Sequence, residues 1–182
     1  DNSLIMSITI NGNGTVSGLT AAPNLTSSGL TTGKVLQTVE SADFSSQTVV
    51  SGTTFTDTNL TATITPTASS SKILVIVAGS TYLQGTNYNV YGQIRLLRGS
   101  TEIARQEAMY DSANSTFGAR LGHSFSIVKR DSPATTSATT YKIQIRVAYT
   151  DYSATIRLPS VQNGESEMYD GERIQLLEVA AW

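Results

Sequence analysis

The only histidine of the chain, His123, is the first residue to consider for chemistry, because a Ser-His-Asp triad would have to use it. It has the same strand parity as Leu121, Phe125 and Ile127, which places it on the apolar side of a predicted strand. The chain contains no G-x-S-x-G elbow, and no acidic residue lies near His123 in the sequence. We therefore interpret His123 as a packed side chain, for example at a subunit interface, and predict no catalytic residue.

Metal chemistry is the next alternative, and it rests on one acidic segment. The stretch NGESEMYDGE carries Glu165, Glu167, Asp170 and Glu172. Closely spaced carboxylates on a loop can hold Ca²⁺, but this spacing differs from that of an EF-hand loop. The chain has no cysteine, which excludes thiolate metal sites, disulfides and cysteine nucleophiles. A solvated loop is the favoured interpretation, so we predict no metal, no cofactor and no enzymatic activity.

Three tyrosines form a candidate ligand or partner patch. Tyr82, Tyr88 and Tyr91 lie within TYLQGTNYNVYG, where amide side chains accompany them. Aromatic faces beside amides can bind sugars or proteins. The same spacing fits tyrosines that pack along the edge of a sheet, so both interpretations stay open.

Charged side chains flank a predicted hairpin in RLLRGSTEIA, where Gly99 supplies the positive φ of a tight turn. Four arginines could pair with two glutamates there: Arg95, Arg98, Arg105 and Arg120 with Glu102 and Glu107. Exposed pairs of this kind contribute about 0–1 kcal/mol each, so they indicate little about function.

Strands position all of these residues. The pattern predicts Val35–Val39, Gln47–Phe55, Leu60–Thr65, Lys72–Gly79, Tyr88–Arg98, Thr101–Met109, Phe117–Lys129, Tyr141–Thr150, Ala154–Leu158 and Arg173–Val179. No window shows a helical period. The fold class is therefore all-β, an antiparallel β-sandwich or jelly roll over residues 34–182, preceded by an extended arm over residues 1–33.

Two predicted strands depart from simple alternation. Ile73–Val77 is apolar on both parities, which predicts a central strand covered on both faces. In RIQLLEVAAW the apolar parity changes, which predicts either a bulge or a second face that meets another subunit. The candidate subunit interface consists of Leu177, Val179 and Trp182.

Charge and hydropathy exclude two classes of partner. The formal net charge is −2 and only 14% of the residues are charged, so the basic stripe of a nucleic-acid-binding protein is missing. No apolar run approaches the roughly 20 residues of a membrane span, and no polybasic segment occurs. We predict neither a nucleic-acid partner nor a membrane partner.

Several phrases resemble one family. GKVLQTVES, SSSKILVIVAGS, IRLLRGSTEIAR, DSPATTSATTYKIQIRV and RIQLLEVAAW, in this order, resemble a domain of virion proteins from tailed bacteriophages, found in tail-fibre-like and head-decoration proteins. ITINGNGTVSGL is similar to the segment that precedes such domains. The resemblance implies a homotrimeric jelly-roll-like sandwich on the virion surface, without enzymatic activity.

The resemblance leaves two locations open. A short arm and a compact domain favour a head-decoration (cement) protein that binds the major capsid protein and stabilises the head. In that case the candidate capsid contacts of the arm are Ile8, Ile10, Val16 and Leu19. The alternative is a tail-fibre or head-fibre tip that binds a host surface polysaccharide near the tyrosine-rich segment.

Overall fold

The structure is a computed structural model that describes residues 34–43, 46–86, 89–111, 119–148, 154–160 and 171–181. These ranges lie within the predicted sandwich domain. Several predicted site residues fall outside them: Ile8, Ile10, Val16, Leu19, Tyr88 and Trp182.

Ten β-strands build the described part of the chain, which contains no helix. They are β1 Val35–Glu40, β2 Thr48–Val50, β3 Thr56–Ile64, β4 Lys72–Gly85, β5 Asn89–Arg98, β6 Thr101–Asp111, β7 Ala119–Asp131, β8 Thr139–Val147, β9 Thr155–Leu158 and β10 Arg173–Val179. A six-stranded antiparallel sheet contains β1, β10, β4, β9, β2 and β7, and a four-stranded one has the order β3-β8-β5-β6. The predicted all-β class is confirmed, and jelly-roll connectivity stays a prediction.

The long strand β4 organises the six-stranded sheet. β7 pairs with one edge of it over residues 73–85. On the other edge, β10 pairs with residues 72–78 and β9 with residues 82–84, so two strands share that edge in succession. The sequence predicts a strand only over Lys72–Gly79. The next residue is Ser80, and serine is typical of turns. Only the pairing on both edges shows that the strand continues.

Glu172 contacts β4 at Ser80, between the residues of β4 that pair with β10 and those that pair with β9. Its Oε1 accepts hydrogen bonds from the backbone N–H of Ser80 at 3.2 Å and from the Ser80 hydroxyl at 2.6 Å. Glu172 is only 4% exposed. The prediction of a solvated loop is therefore wrong for this residue, while Glu165, Glu167 and Asp170 lie outside the described residues.

The core lies between the sheets, and strand alternation selects its residues. In β8 every second residue from Thr139 to Val147 is buried, as the period of two predicts. Gly92 of β5 lets the four-stranded sheet come close to the other one. A Cβ there would lie 2.6 Å from Cδ1 of Ile156 and 2.9 Å from Cδ2 of Leu83.

Ile73–Val77 is central, as predicted, but only one of its faces is fully covered. Ile73, Val75 and Val77 are completely buried between the sheets. Leu74 and Ile76 point to the opposite side of β4 and are partly exposed. The continuous apolar run therefore reflects one core face and one outer face.

The parity change in β10 is not caused by a bulge in that strand. β10 pairs with β4 over residues 173–179 without a register shift, and the bulge lies in β1 between Val35 and Gln37. Ile174, Leu176 and Glu178 face the core, whereas Leu177 and Val179 face outward. The apolar parity changes because a glutamate occupies the third inward position.

Glu178 is completely buried and anchors the segment that precedes β4. Its carboxylate accepts hydrogen bonds from Nε2 of Gln37 at 2.6 Å and from the backbone N–H and the hydroxyl of Thr67, both at 2.7 Å. Burial by itself would raise the pKa of Glu178. The hydrogen bonds outweigh burial and lower the pKa from 4.5 to about 2, so the carboxylate is ionised at neutral pH.

Candidate binding surfaces on the two outer faces

The six-stranded sheet presents apolar side chains on the side that points away from the core. We call this surface the apolar outer face; it consists of Leu74, Ile76, Val128, Leu177 and Val179. Val128 is 66% exposed, and the other members are partly exposed. Contiguous exposed apolar side chains of this kind mark contact surfaces.

Strand register places these side chains next to one another. Leu177 lies opposite Leu74 in the pair β10 and β4, and Val128 lies opposite Ile76 in the pair β7 and β4. Directly opposite residues share one face, with Cβ atoms about 4.5–5.5 Å apart. Arg130 lies opposite Leu74 on its β7 side and is exposed. An apolar centre with a charged border is the usual organisation of a protein interface.

Two of the three predicted interface residues, Leu177 and Val179, belong to the apolar outer face. The sequence assigned them from the terminal strand alone. The structure adds Leu74, Ile76 and Val128, which lie elsewhere in the chain. Contact of this face with another subunit stays a prediction.

The structure does not bring Tyr82 and Tyr91 together. Tyr82 lies on the outer side of the six-stranded sheet, is 8% exposed, and has the guanidinium carbon of Arg157 5.8 Å from its ring centroid. Tyr91 lies on the outer side of the four-stranded sheet and is partly exposed. The two sheets pack with their inner sides together, so their outer sides point in opposite directions. The chain passes from one sheet to the other between β4 and β5. Spacing along the sequence does not show this crossing.

The outer side of the four-stranded sheet carries charged and amide side chains in cross-strand rows. One row contains Arg146, Gln93 and Glu107, and the next contains Gln144, Arg95 and Arg105. Nε of Arg146 donates to Oε1 of Gln93 at 2.8 Å, and Nε2 of Gln93 donates to Glu107 at 2.9 Å. Nε of Arg95 donates to Oε1 of Gln144 at 2.8 Å. We call these six residues together with Phe55 the arginine array.

Phe55, directly before β3, lies against three guanidinium groups. The guanidinium carbons of Arg95, Arg146 and Arg105 lie 3.9, 4.5 and 5.2 Å from its ring centroid. Nη1 of Arg146 also donates to the backbone oxygen of Thr53 at 3.1 Å, which fixes the segment before the ring. Cation–π attraction contributes about 0.5–1 kcal/mol per contact at exposed sites. One aromatic ring thus gathers three like charges.

Arg95 and Arg105 are direct cross-strand partners, and like charges in this arrangement repel each other. Glu102 reduces the repulsion: its Oε2 lies 3.2 Å from Nη1 of Arg95 and 2.7 Å from Nη2 of Arg105. The hydrogen bond between Glu102 and Arg105 lowers the pKa of Glu102 and raises the pKa of Arg105. The predicted hairpin pairs are confirmed for these two arginines, and both depend on a single carboxylate.

The sequence contained only part of the signal for the arginine array. Alternation in β8 already placed Gln144 and Arg146 on one side of a strand. The pairing of β8 with β5, which brings Arg146 beside Gln93, is known only from the structure. The contribution of Phe55 was missed, since the sequence predicts it as the end of a strand rather than as a ring beneath arginines.

Tyr91 borders the arginine array. A shallow depression of about 420 Å³ lies next to it and is lined by Tyr91, Gly92, Gln93, Glu107 and Ala148. Of the two tyrosines of the predicted patch that the structure describes, Tyr91 is therefore the one that adjoins a possible ligand surface.

His123 faces the inner side of its strand opposite Thr81, on the parity that the sequence predicts. Its Nε2 is buried without a hydrogen-bond partner in the described part of the chain. Among the described residues, no three His, Asp or Glu side chains come close enough together to hold a metal ion. No helix in the described ranges is long and apolar enough to cross a membrane.

Comparison with known proteins gives distant structural likenesses. No family model matches the chain, and no curated protein matches it. An insecticidal delta-endotoxin from Bacillus thuringiensis is similar at a TM-score of 0.35 and 15% identity, over 74% of this chain and 20% of the toxin chain. A structure of infectious bursal disease virus, Gx strain, is similar at 0.31 and 16% identity, over 82% of this chain and 38% of the viral chain. Both TM-scores lie below 0.5, and at that level neither likeness indicates a function.

Proposed function

We propose that this chain is a non-enzymatic virion structural protein, a homotrimer that decorates the head of a tailed bacteriophage at the virion surface. The apolar outer face is the observation that carries the proposal. Burial of apolar surface contributes about 25 cal/mol per Å², so covering Val128 and its neighbours favours association. The resemblance of five ordered sequence phrases to phage virion domains supports the setting.

The mechanism would be mechanical. A sandwich with two hydrogen-bonded sheets and one continuous core is a rigid block. Closed cyclic symmetry would cover the same face on every subunit. The trimer would then bridge neighbouring copies of the major capsid protein and add contact area across their seams.

The alternative function is a fibre tip that binds a host surface polysaccharide. The specific observation in its favour is the arginine array with Tyr91 beside it, since amides, carboxylates and aromatic rings on an open sheet face are groups that bind sugars. Under this alternative the trimer would persist, and the capsid would not be the partner.

Capsids that lack their own copy of this protein separate the two functions. The full chain should bind them and sediment as a trimer. Deletion of residues 1–33 should leave the trimer folded, because β1 begins at Val35, but should abolish capsid binding. Equal capsid binding by both forms would refute the arm as a clamp. Binding to host cells but not to capsids would establish the fibre-tip alternative.

A further inference from the structure

The arginine array carries more positive charge than its neighbours neutralise. Among the described side chains around Phe55, this side of the sheet holds three cations, Arg95, Arg105 and Arg146, and two carboxylates, Glu102 and Glu107. The whole chain has a formal net charge of −2, so a cationic surface is a local feature. Asp57 already pairs with Lys142 at 2.8 Å, and its pKa is lowered by that hydrogen bond. The remaining excess lies around Phe55.

Two guanidinium nitrogens in this excess are available for a ligand. Nε and Nη2 of Arg105 donate to Glu102, while its Nη1 makes no hydrogen bond within the described residues. Nε and Nη1 of Arg146 donate to Gln93 and to the backbone of Thr53, while its Nη2 makes none there. Arg146 also forms no salt bridge in the described ranges. The bonds that exist hold both groups in place, so little side-chain freedom would be lost on binding.

The shape of the surface favours an extended ligand over a single ion. Rows of donors and acceptors cross the three strands β8, β5 and β6, and neighbouring strands lie about 4.8 Å apart. The depression of about 420 Å³ beside Tyr91 continues this surface at one end. Glu107 and the amide of Gln93 offer partners for hydroxyl groups, whereas the arginines offer partners for acid groups. A chain of sugars that carries carboxylates or sulfates combines these features.

We propose that the arginine array is a binding site for an acidic polysaccharide. Carboxylate or sulfate groups of the sugar would accept hydrogen bonds from Nη1 of Arg105 and Nη2 of Arg146 and relieve the repulsion among the guanidinium groups beside Phe55. Sugar hydroxyls would bind along Gln93 and Glu107 toward Tyr91. This inference rests on the polysaccharide-binding alternative and names its ligand class. The site is independent of the apolar outer face and of the oligomeric state.

The test uses the full chain and immobilised polysaccharides of defined charge. Heparin (sulfated) and polygalacturonate (carboxylated) are the acidic probes, and dextran is the neutral one. We expect retention on at least one acidic probe and none on dextran. Arg105→Gln and Arg146→Gln should each weaken the retained affinity about tenfold, and Phe55→Leu should weaken it by loosening the array. Lys129→Gln is the control, because it also removes one positive charge and Lys129 is exposed on the other sheet, outside the apolar outer face.

Each outcome is decisive. Equal losses for Lys129→Gln and for the array variants would show general charge attraction and overturn the site. Equal retention on double-stranded DNA of the same charge density would overturn the assignment to sugars. No retention on either acidic probe would overturn the proposal directly. Should Arg146→Gln unfold the sheet, seen by circular dichroism, Arg105→Gln decides, since the Arg105 side chain is 38% exposed at an edge strand.

Discussion

The hydroxyl of Tyr141 donates a 2.7 Å hydrogen bond to the carboxylate of Asp131, and this bond joins the two sheets. Tyr141 belongs to β8 of the four-stranded sheet, and Asp131 ends β7 of the six-stranded sheet. Nη1 of Arg98 lies 2.9 Å from both carboxylate oxygens. Burial, together with the bond to Asp131, raises the pKa of Tyr141. The sequence predicts that Arg98 pairs across the hairpin with Glu102 or Glu107. In the structure Arg98 pairs instead with Asp131 of the other sheet.

The hydrogen bond between Tyr141 and Asp131 predicts unequal losses of stability when one or the other partner is replaced. Tyr141→Phe removes one hydrogen bond and leaves Asp131 paired with Arg98, so we expect a loss of about 1 kcal/mol in the free energy of unfolding. Asp131→Ala leaves the buried Tyr141 hydroxyl and Arg98 without their acceptor, and we expect about 2–3 kcal/mol. Urea denaturation measures both. A larger loss for Tyr141→Phe would contradict this account.

The lowered pKa of Glu178 predicts that the folded protein loses stability in acid. Its pKa is lowered from 4.5 in the unfolded chain to about 2 in the fold, so its contribution to stability is complete above pH 4.5 and is lost as the pH falls toward 2. The loss amounts to about 3 kcal/mol. Glu178→Gln should be less stable than the parent at pH 7, and its stability should fall less between pH 4.5 and pH 2. Parallel pH profiles for the two proteins would show that Glu178 is not the titrating group.

Replacing Gly92 and Gly122 in parallel tests how closely the two sheets approach each other. Gly92→Ala places a methyl group 2.6 Å from Ile156, so we expect a loss of about 1–3 kcal/mol from overpacking. Gly122→Ala meets nothing within 4 Å and should change stability by less than about 0.5 kcal/mol. Thermal unfolding of both variants is the measurement. Similar melting temperatures would place the sheets farther apart than described.

The hairpin between β5 and β6 depends on the backbone of Gly99. Its φ is +57°, and its N–H donates to the backbone oxygen of Thr140 at 2.8 Å. Gly99→Val should cost about 1–2 kcal/mol or more, because a β-branched residue strongly disfavours this conformation. Ser100→Ala should cost little, and Gly99→Asn should restore part of the loss. Equal melting temperatures for Gly99→Val and Ser100→Ala would place the turn elsewhere.

The apolar outer face predicts the effect of a single charge on assembly. Leu177→Glu puts a carboxylate on the apolar outer face beside Leu74 and should shift a trimer toward monomer in sedimentation at micromolar concentration. Thr63→Glu, exposed on the outer side of the other sheet, is the control and should leave the trimer intact. A parent protein that sediments as a monomer, or a trimer that survives Leu177→Glu, refutes this interface.

The sequence by itself predicted where most strands lie and, for strands with simple alternation, the side that faces the core. The predicted span Arg173–Val179 coincides with β10, and the alternation from Tyr141 onward coincides with the buried positions of β8. Both follow from local chemistry, since a strand has a side-chain period of two and half of it must leave water. Gly99 was predicted for the same reason, because its turn lies within a few residues of sequence.

Only the tertiary structure decided which strands share a sheet, and with that the composition of each outer face. Tyr82 and Tyr91 are close in sequence yet lie on opposite sides of the sandwich, whereas Phe55 and Arg146 are distant in sequence and lie in contact. The burial of Glu178 likewise depends on hydrogen-bond donors from distant segments. Pairing between strands far apart in the chain is set by how the whole core packs, and no local pattern of residue types contains that information.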